Sequence, residues 1–456
     1  VITPNATISG YLLVEDGIIK EINEGEFTAE ADKVIDAEGC YISPGFIDLH
    51  THGAGGADFM DGTVEAFLVA AKMHAAHGAT LVYPTTLTSS NEVLFDTFVN
   101  YEKALELNTE GSAFGGLHLE GPYFNPARAG AQDPRYLRNP DPKDYLEILS
   151  RSNHIARVSF SPELEGAPEF AAELSKRGII ASAGHTDATF EEIDEAYQSG
   201  CSLITHFFSC ISTIVRKNSY RTAGVLEYGY YQDGMAVEII ADGCHVPESL
   251  LKLIVKVKGH DDVVLVTDSM RGAGMPEGPS ILGGLADGQA CIIEDGVAKL
   301  MDRSGFAGSV CTTDRLIRTM TTLAGVTVEQ AVKMASYNPA RVMGIADRKG
   351  SLEVGKDADI VIFDPDYEGI MSVENNLEGV DYCPFEGFPQ KGRPETVFLR
   401  GQKIVDDASA IDQIKQIHHA GADDDIEHQV GNALIAVLIA EALEISAKVF
   451  QVFHLP

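Results

Sequence analysis

Residues 1–44 alternate apolar and polar positions, with glycine as punctuation. Residues 10–22 read Gly-Tyr-Leu-Leu-Val-Glu-Asp-Gly-Ile-Ile-Lys-Glu-Ile, which is the grammar of a β-hairpin. Residues 350–364 and 395–406 carry the same alternation. The two ends of the chain therefore predict one small β-sandwich domain, built from residues 1–44 and 346–406. Between them the pattern changes. Short apolar runs at 45–50, 79–87, 113–120, 156–161, 179–185, 201–206, 236–241 and 263–268 predict strands. Helical periodicity appears between and after them, at 64–77, 94–107, 190–199 and 329–336. Strand and helix alternating about eight times predict an α/β fold, a parallel (β/α)8 TIM-like barrel over residues 45–345.

Residues 407–456 follow as a tail. Its most apolar stretch, 430–453, is interrupted by Asn432, Glu441, Glu444 and Lys448. That pattern predicts an amphipathic helix that docks or oligomerises rather than a membrane span. His418, His419, His428 and His454 in this tail are expected at the surface or in packing.

The 456 residues carry a formal net charge of −34. A surface this acidic repels nucleic acid and anionic membranes, so neither is expected as a partner. An anionic substrate would need local positive charge in its site. The seven cysteines are scattered, odd in number and without a CxxC pair. This predicts a reducing, cytoplasmic compartment rather than a disulfide framework.

The chemistry lies at the ends of the strands. His50 and His52 follow Pro-Gly-Phe-Ile-Asp-Leu. Glu120 ends Gly-Leu-His-Leu-Glu, and His185 ends Ala-Ser-Ala-Gly-His. His206 ends Ser-Leu-Ile-Thr-His, and Asp268 ends Val-Leu-Val-Thr-Asp. A barrel gathers its C-terminal strand ends into one mouth, so these residues converge there. A carboxylate and two imidazoles suit Zn²⁺ or a similar divalent ion with one position left for water. Glu120, His185 and His206 fit that role, and Asp268 fits a proton carrier. His50 and His52, two apart on a strand, share a face. With Glu120 they either hold a second ion or shape the pocket around a single one. His74 and His77 are expected in helix packing. His118 shares a strand face with Glu120, and its role stays open between support and core. His245, in Ala-Asp-Gly-Cys-His, is expected to touch substrate.

Several segments together resemble a known family. They are Pro44 to His52, His52 to Asp61, His118-Leu-Glu-Gly-Pro122, Gly184-His185-Thr, Thr205-His206-Phe, Ala241-Asp-Gly-Cys-His245 and Val266-Thr-Asp268. The set resembles the N-acetylglucosamine-6-phosphate deacetylases of the amidohydrolase superfamily, over roughly residues 10–365. The resemblance implies release of acetate from an amino-sugar phosphate. It implies metal ligands at Glu120, His185 and His206, a catalytic Asp268 and a substrate contact at His245. It also implies a homodimer, in which the neighbouring subunit helps to bind phosphate.

The chain departs from that family at the sugar pocket. Gln132 follows Gly130-Ala131 where a sugar-contacting histidine is common, and Ser209-Cys210-Ile211 replaces Asn-Ala-Met. Ala131, Gln132, Ser209 and Cys210 are therefore expected at the substrate. Arg216, Lys217 and Arg221 are expected cations for phosphate, with Arg271 a further one. Residues 380–401 resemble the C-terminal part of dihydropyrimidinases and hydantoinases, which open cyclic amides, commonly with a carboxylated lysine between two metals. No lysine ends a barrel strand here, and Glu120 takes that chemical niche. Three readings follow: deacetylation of N-acetylglucosamine 6-phosphate, hydrolysis of another N-acyl compound or cyclic amide, and a barrel that binds without catalysis.

Overall fold

In the computed structural model residues 1–370 and 389–406 are described. The expected tail helix in 407–456 and residues 380–388 of the dihydropyrimidinase-like stretch lie outside them.

Eight parallel strands form the barrel, in the spatial order 1 to 8. They are β1 (Phe46–Thr51), β2 (Ala79–Thr86), β3 (Leu117–Glu120), β4 (Ile155–Phe160), β5 (Ile180–Ala183), β6 (Cys201–Ile204), β7 (Ala236–Ile240) and β8 (Val263–Val266). Parallel strands are covered on both faces, which is why they read as near-continuous apolar runs. Every residue of β2 is buried. The run expected at 113–120 is divided: Ala113–Phe114 pairs with β2, and β3 begins only after Gly115-Gly116. At its far end β8 returns to β1. The Asp268 amide donates to the His50 carbonyl at 2.8 Å, and the His52 amide donates to the Ser269 carbonyl at 2.7 Å. The Thr267 hydroxyl donates to Asp48 at 2.5 Å across the same seam.

The outer helices begin where the sequence supplies caps. Thr63 caps Val64–Ala76, and Ser90 caps Asn91–Leu107. Thr189 and Thr327 open Phe190–Gln198 and Val328–Ala335 with full capping boxes, each satisfying two otherwise orphaned groups. His74 and His77 serve packing, as expected. His74 Nε2 lies 2.8 Å from the Thr51 hydroxyl, and His77 Nδ1 lies 2.9 Å from Asp314.

The ends of the described chain meet in separate sheets. Gly10–Glu15 and Ile18–Glu24 form a hairpin, and Tyr41–Pro44 joins Ile360–Ile370, Pro389–Leu399 and Gln402–Asp406 in a four-stranded sheet. Val1, Ile19, Leu352, Ile360, Ile362 and Phe398 pack as their core. A three-stranded sheet has no counterpart among the expected elements. Gly278–Leu282, Gln289–Glu294 and Val297–Leu300 form an antiparallel insert after β8. Its Leu282, Cys291 and Ile293 pack on Met270, with Ala131 against the same cluster. Among the described residues no helix is long and apolar enough to cross a membrane.

The barrel interior is polar at mid-height. Arg157 on β4 and Glu238 on β7 are both fully buried. The guanidinium pairs with both Glu238 oxygens, and its other N–H groups reach Ser182 Oγ at 3.1 Å, Thr205 Oγ1 at 3.0 Å and the Leu49 carbonyl at 3.2 Å. Five N–H donors thus meet five acceptors, the condition under which a buried guanidinium is tolerated. Burial opposes ionisation of Glu238, but Arg157 and His50 together hold its carboxyl below the usual range.

Candidate active site

Directly above this pair, the C-terminal strand ends bring the expected residues together. Glu120 Oε1 lies 3.3 Å from His185 Nε2 and 3.0 Å from His206 Nε2, and the two imidazole nitrogens are 3.1 Å apart. The outer nitrogens are fixed by backbone. His185 Nδ1 donates to the Arg128 carbonyl at 2.9 Å, and His206 Nδ1 donates to the Ser209 carbonyl at 3.2 Å. Each proton therefore sits on Nδ1, and each Nε2 turns its lone pair inward, as supported metal ligands do.

The β1 pair completes the other side. His50 Nε2 lies 3.5 Å from Glu120 Oε1, and His52 Nε2 lies 3.4 Å from Oε2. Asp268 Oδ1 is 3.4 Å from His50 Nε2 and 3.2 Å from His52 Nε2. Two donor sets, His50–His52–Glu120 and Glu120–His185–His206, each lie within ligand spacing and share Glu120. Among the described residues, neither ring nitrogen of His50 and not Nδ1 of His52 has a hydrogen-bond partner, although all are buried. Buried polar atoms left without partners are costly unless something else satisfies them.

Electrostatics point the same way. Burial disfavours an imidazolium, yet Asp268 and Glu120 raise His50 to about 9 and His52 to about 10. Burial likewise opposes ionisation of Glu120 and Asp268, yet His50 and its neighbouring imidazoles hold both carboxyls below their usual range. The pocket therefore demands positive charge, and a divalent ion displaces protons from such ligands. The donor set fits a divalent metal in number, type and spacing.

Three of these residues occupy left-handed backbone: His185 at φ 47°, His206 at φ 29° and Asp268 at φ 47°. Such conformations cost non-glycine residues about 1–3 kcal/mol each and cluster at functional sites. Each aims its side chain out of the strand and across the mouth.

The remaining expected residues spread around this centre. His245 Nδ1 lies 2.7 Å from Asp242 Oδ2, and its ring rests on Phe306. Cys210 and His185 both approach Gly130, whose left-handed backbone (φ 57°) leaves no room for a side chain: a Cβ there would meet Cys210 Sγ at 2.8 Å. Gln132 is buried against Glu120, and Ala131 lies beside the insert. Arg216 and Arg221 face each other across an exposed two-stranded ribbon, Val215–Lys217 with Tyr220–Thr222. Arg271 is a correction to the expected set of phosphate cations. Its guanidinium pairs with Asp61 at 2.6 Å and donates to the Gly56, Ile281 and Gly283 carbonyls, so it braces the insert instead.

Sequence reasoning also missed supporting residues. Arg157 and Glu238 carry a signal, a charge inside an apolar strand. His118 resolves as support: it is clamped between Thr85 and Ser159, and burial keeps it neutral beside His50.

The amidohydrolase family model matches residues 41–404. The chain belongs to the amidohydrolase family. Among the relatives of this amidohydrolase is the N-acetylglucosamine-6-phosphate deacetylase of Lysinibacillus sphaericus, 33% identical over 360 residues, which are 77% of this chain and 88% of that protein. The N-acetylgalactosamine-6-phosphate deacetylase of Escherichia coli O157:H7 is 30% identical over 77% of this chain and 90% of its own length. A solved structure of N-acetyl-D-glucosamine-6-phosphate deacetylase from Mycobacterium smegmatis superposes with a TM-score of 0.74 at 27% identity, covering 87% of this chain and 95% of that one. Dihydropyrimidinase from Brevibacillus agri shares the fold at a TM-score of 0.56 and 19% identity, over 89% of this chain and 94% of that one.

Proposed function

We propose that this amidohydrolase removes the acetyl group of N-acetylglucosamine 6-phosphate, giving glucosamine 6-phosphate and acetate. The carrying observation is the convergence of Glu120, His185 and His206 with Asp268 opposite, in a chain whose relatives bear that activity in their names. A divalent ion, which we take to be zinc, would be held by Glu120, His185 and His206, and there it supplies Lewis acidity toward the acetamide oxygen and acidifies water. A second would be held by His50, His52 and Glu120, which the shared carboxylate supports.

The protein's own groups then divide the work. Asp268 accepts the proton of the attacking water as oxygen adds to the acetyl carbon. It returns that proton to the amine nitrogen as the C–N bond breaks. Acetate and the amino sugar leave. His245 has its Nδ1 proton fixed by Asp242, which leaves Nε2 as an acceptor for a sugar hydroxyl. Ala131, Ser209 and Cys210 line the sugar's approach. Arg216 and Arg221 sit directly opposite each other, and like charges so placed repel unless an anion lies between them. They and Lys217 suit the 6-phosphate. We further propose a homodimer in the cytoplasm. The six described cysteines are all free, which suits a reducing compartment.

The assay is acetate release from N-acetylglucosamine 6-phosphate, run beside N-acetylgalactosamine 6-phosphate and dihydrouracil. The glucosamine substrate should have the highest kcat/KM. Preference for the galacto epimer would move the assignment to the second named activity, and ring opening alone would reject deacetylation. Removal of metal by a chelator should abolish turnover, and added zinc should restore it. Full activity after verified metal removal would contradict the mechanism.

A further inference from the structure

Gln132 stands where the sequence suggests a sugar contact, yet its side chain is engaged within the protein. It is 4% exposed. Its Nε2 donates to Glu120 Oε2 at 2.7 Å, and its Oε1 accepts the Thr88 amide at 2.8 Å. These partners allow one orientation only. A backbone N–H can only donate and an ionised carboxylate can only accept, so the oxygen of Gln132 must face Thr88 and its NH2 must face Glu120. Thr88 follows β2 and Glu120 ends β3, so the amide is a strut between two neighbouring strand ends.

The strut acts on one oxygen of the shared carboxylate. Glu120 Oε1 faces His185 and His206, whereas Oε2 faces His52 at 3.4 Å and Gln132. Rotation about the last side-chain bond of Glu120 would exchange or skew the two oxygens. Gln132 opposes that rotation by holding Oε2. The turn that delivers it is itself constrained, since Gly130 packs against Cys210 and His185.

We propose that Gln132 is a positioning residue that locks Glu120 as a bridge between the two donor sets, and that it acts on metal retention rather than on the sugar. This rests on the metal-dependent reading above. Groups that orient a metal ligand typically contribute about 10–100-fold in metal affinity. Gln132→Leu puts a shorter apolar side chain in its place and removes both hydrogen bonds. Gln132→Met keeps the reach of the side chain but cannot donate to Glu120 Oε2.

The test is zinc binding to the purified full chain, by competition with a chromophoric chelator and by metal analysis, with kcat and KM measured separately. Both variants should bind zinc about 10–100-fold more weakly than the wild type. Their kcat should recover at saturating zinc with KM for the sugar phosphate nearly unchanged. Far-ultraviolet circular dichroism of the metal-free variants should match the wild type, which separates a lost strut from a lost fold. Wild-type zinc affinity combined with a raised KM would overturn the proposal and make Gln132 a sugar contact. A wild-type protein that binds no divalent ion would overturn the metal reading and this inference with it.

Discussion

Asp268→Asn should lower kcat for acetate release by about 10²–10⁴-fold while zinc stays bound. Asparagine nearly matches aspartate in size but cannot take a proton from water or return it to nitrogen. The backbone role of residue 268 survives, because its amide still donates to the His50 carbonyl and closes the barrel. Glu120, His185 and His206 are untouched, so metal analysis should give the wild-type content. That pairing of a lost rate with retained metal separates proton transfer from metal binding. A variant retaining more than about a tenth of wild-type kcat would remove Asp268 from the proton path, because general acid–base catalysis contributes at least about 10²-fold.

Arg157→Met should destabilise the fold by about 3–5 kcal/mol, the typical cost of leaving one member of a buried ion pair alone. Glu238 is fully buried and would face the His50 imidazole and the His206 amide without its cation. The double variant Arg157→Met with Glu238→Leu removes both charges and should recover a large part of that loss. Equilibrium urea unfolding of the metal-free wild type, both single variants and the double closes the thermodynamic cycle. Equal destabilisation of the single and double variants would mean that cavity formation, not an uncompensated charge, sets the penalty.

The sequence shows the barrel because parallel strands must be apolar on both faces, and the site because its donors end those strands. His50 and His52 were legible through the two-residue period, and His185, His206 and Asp268 through the runs that precede them. The place of Glu120 among the donors was also visible, but its support was not. Gln132 lies in an irregular loop, where no periodicity says what a side chain will touch. Arg157 and Glu238 stand out as charges inside apolar strands, yet their pairing depends on strand tilt and barrel closure, which only the three-dimensional register supplies. Arg271 looked free because Asp61 is far away in sequence. The insert at 278–300 carries a turn signal at Asp295-Gly296. Asp295 and Gly296 both take positive φ, the requirement of a tight hairpin for which Asp-Gly is the favoured pair.

The seam between β1 and β8 sets a schedule for the growing polypeptide. Thr51 and Ser269, bonded at 2.9 Å, are 218 residues apart. At a synthesis rate of about 5–20 residues per second, His50 and His52 wait roughly 10–40 s for the strand that completes their surroundings. During that interval the ribosome displays two imidazoles without the carboxylate of Asp268. A divalent ion captured early in that interval, before Glu120 is made, would lack the shared carboxylate and would exchange readily. Occupancy would then be set by competition at the finished barrel, not by which ion meets the nascent chain first.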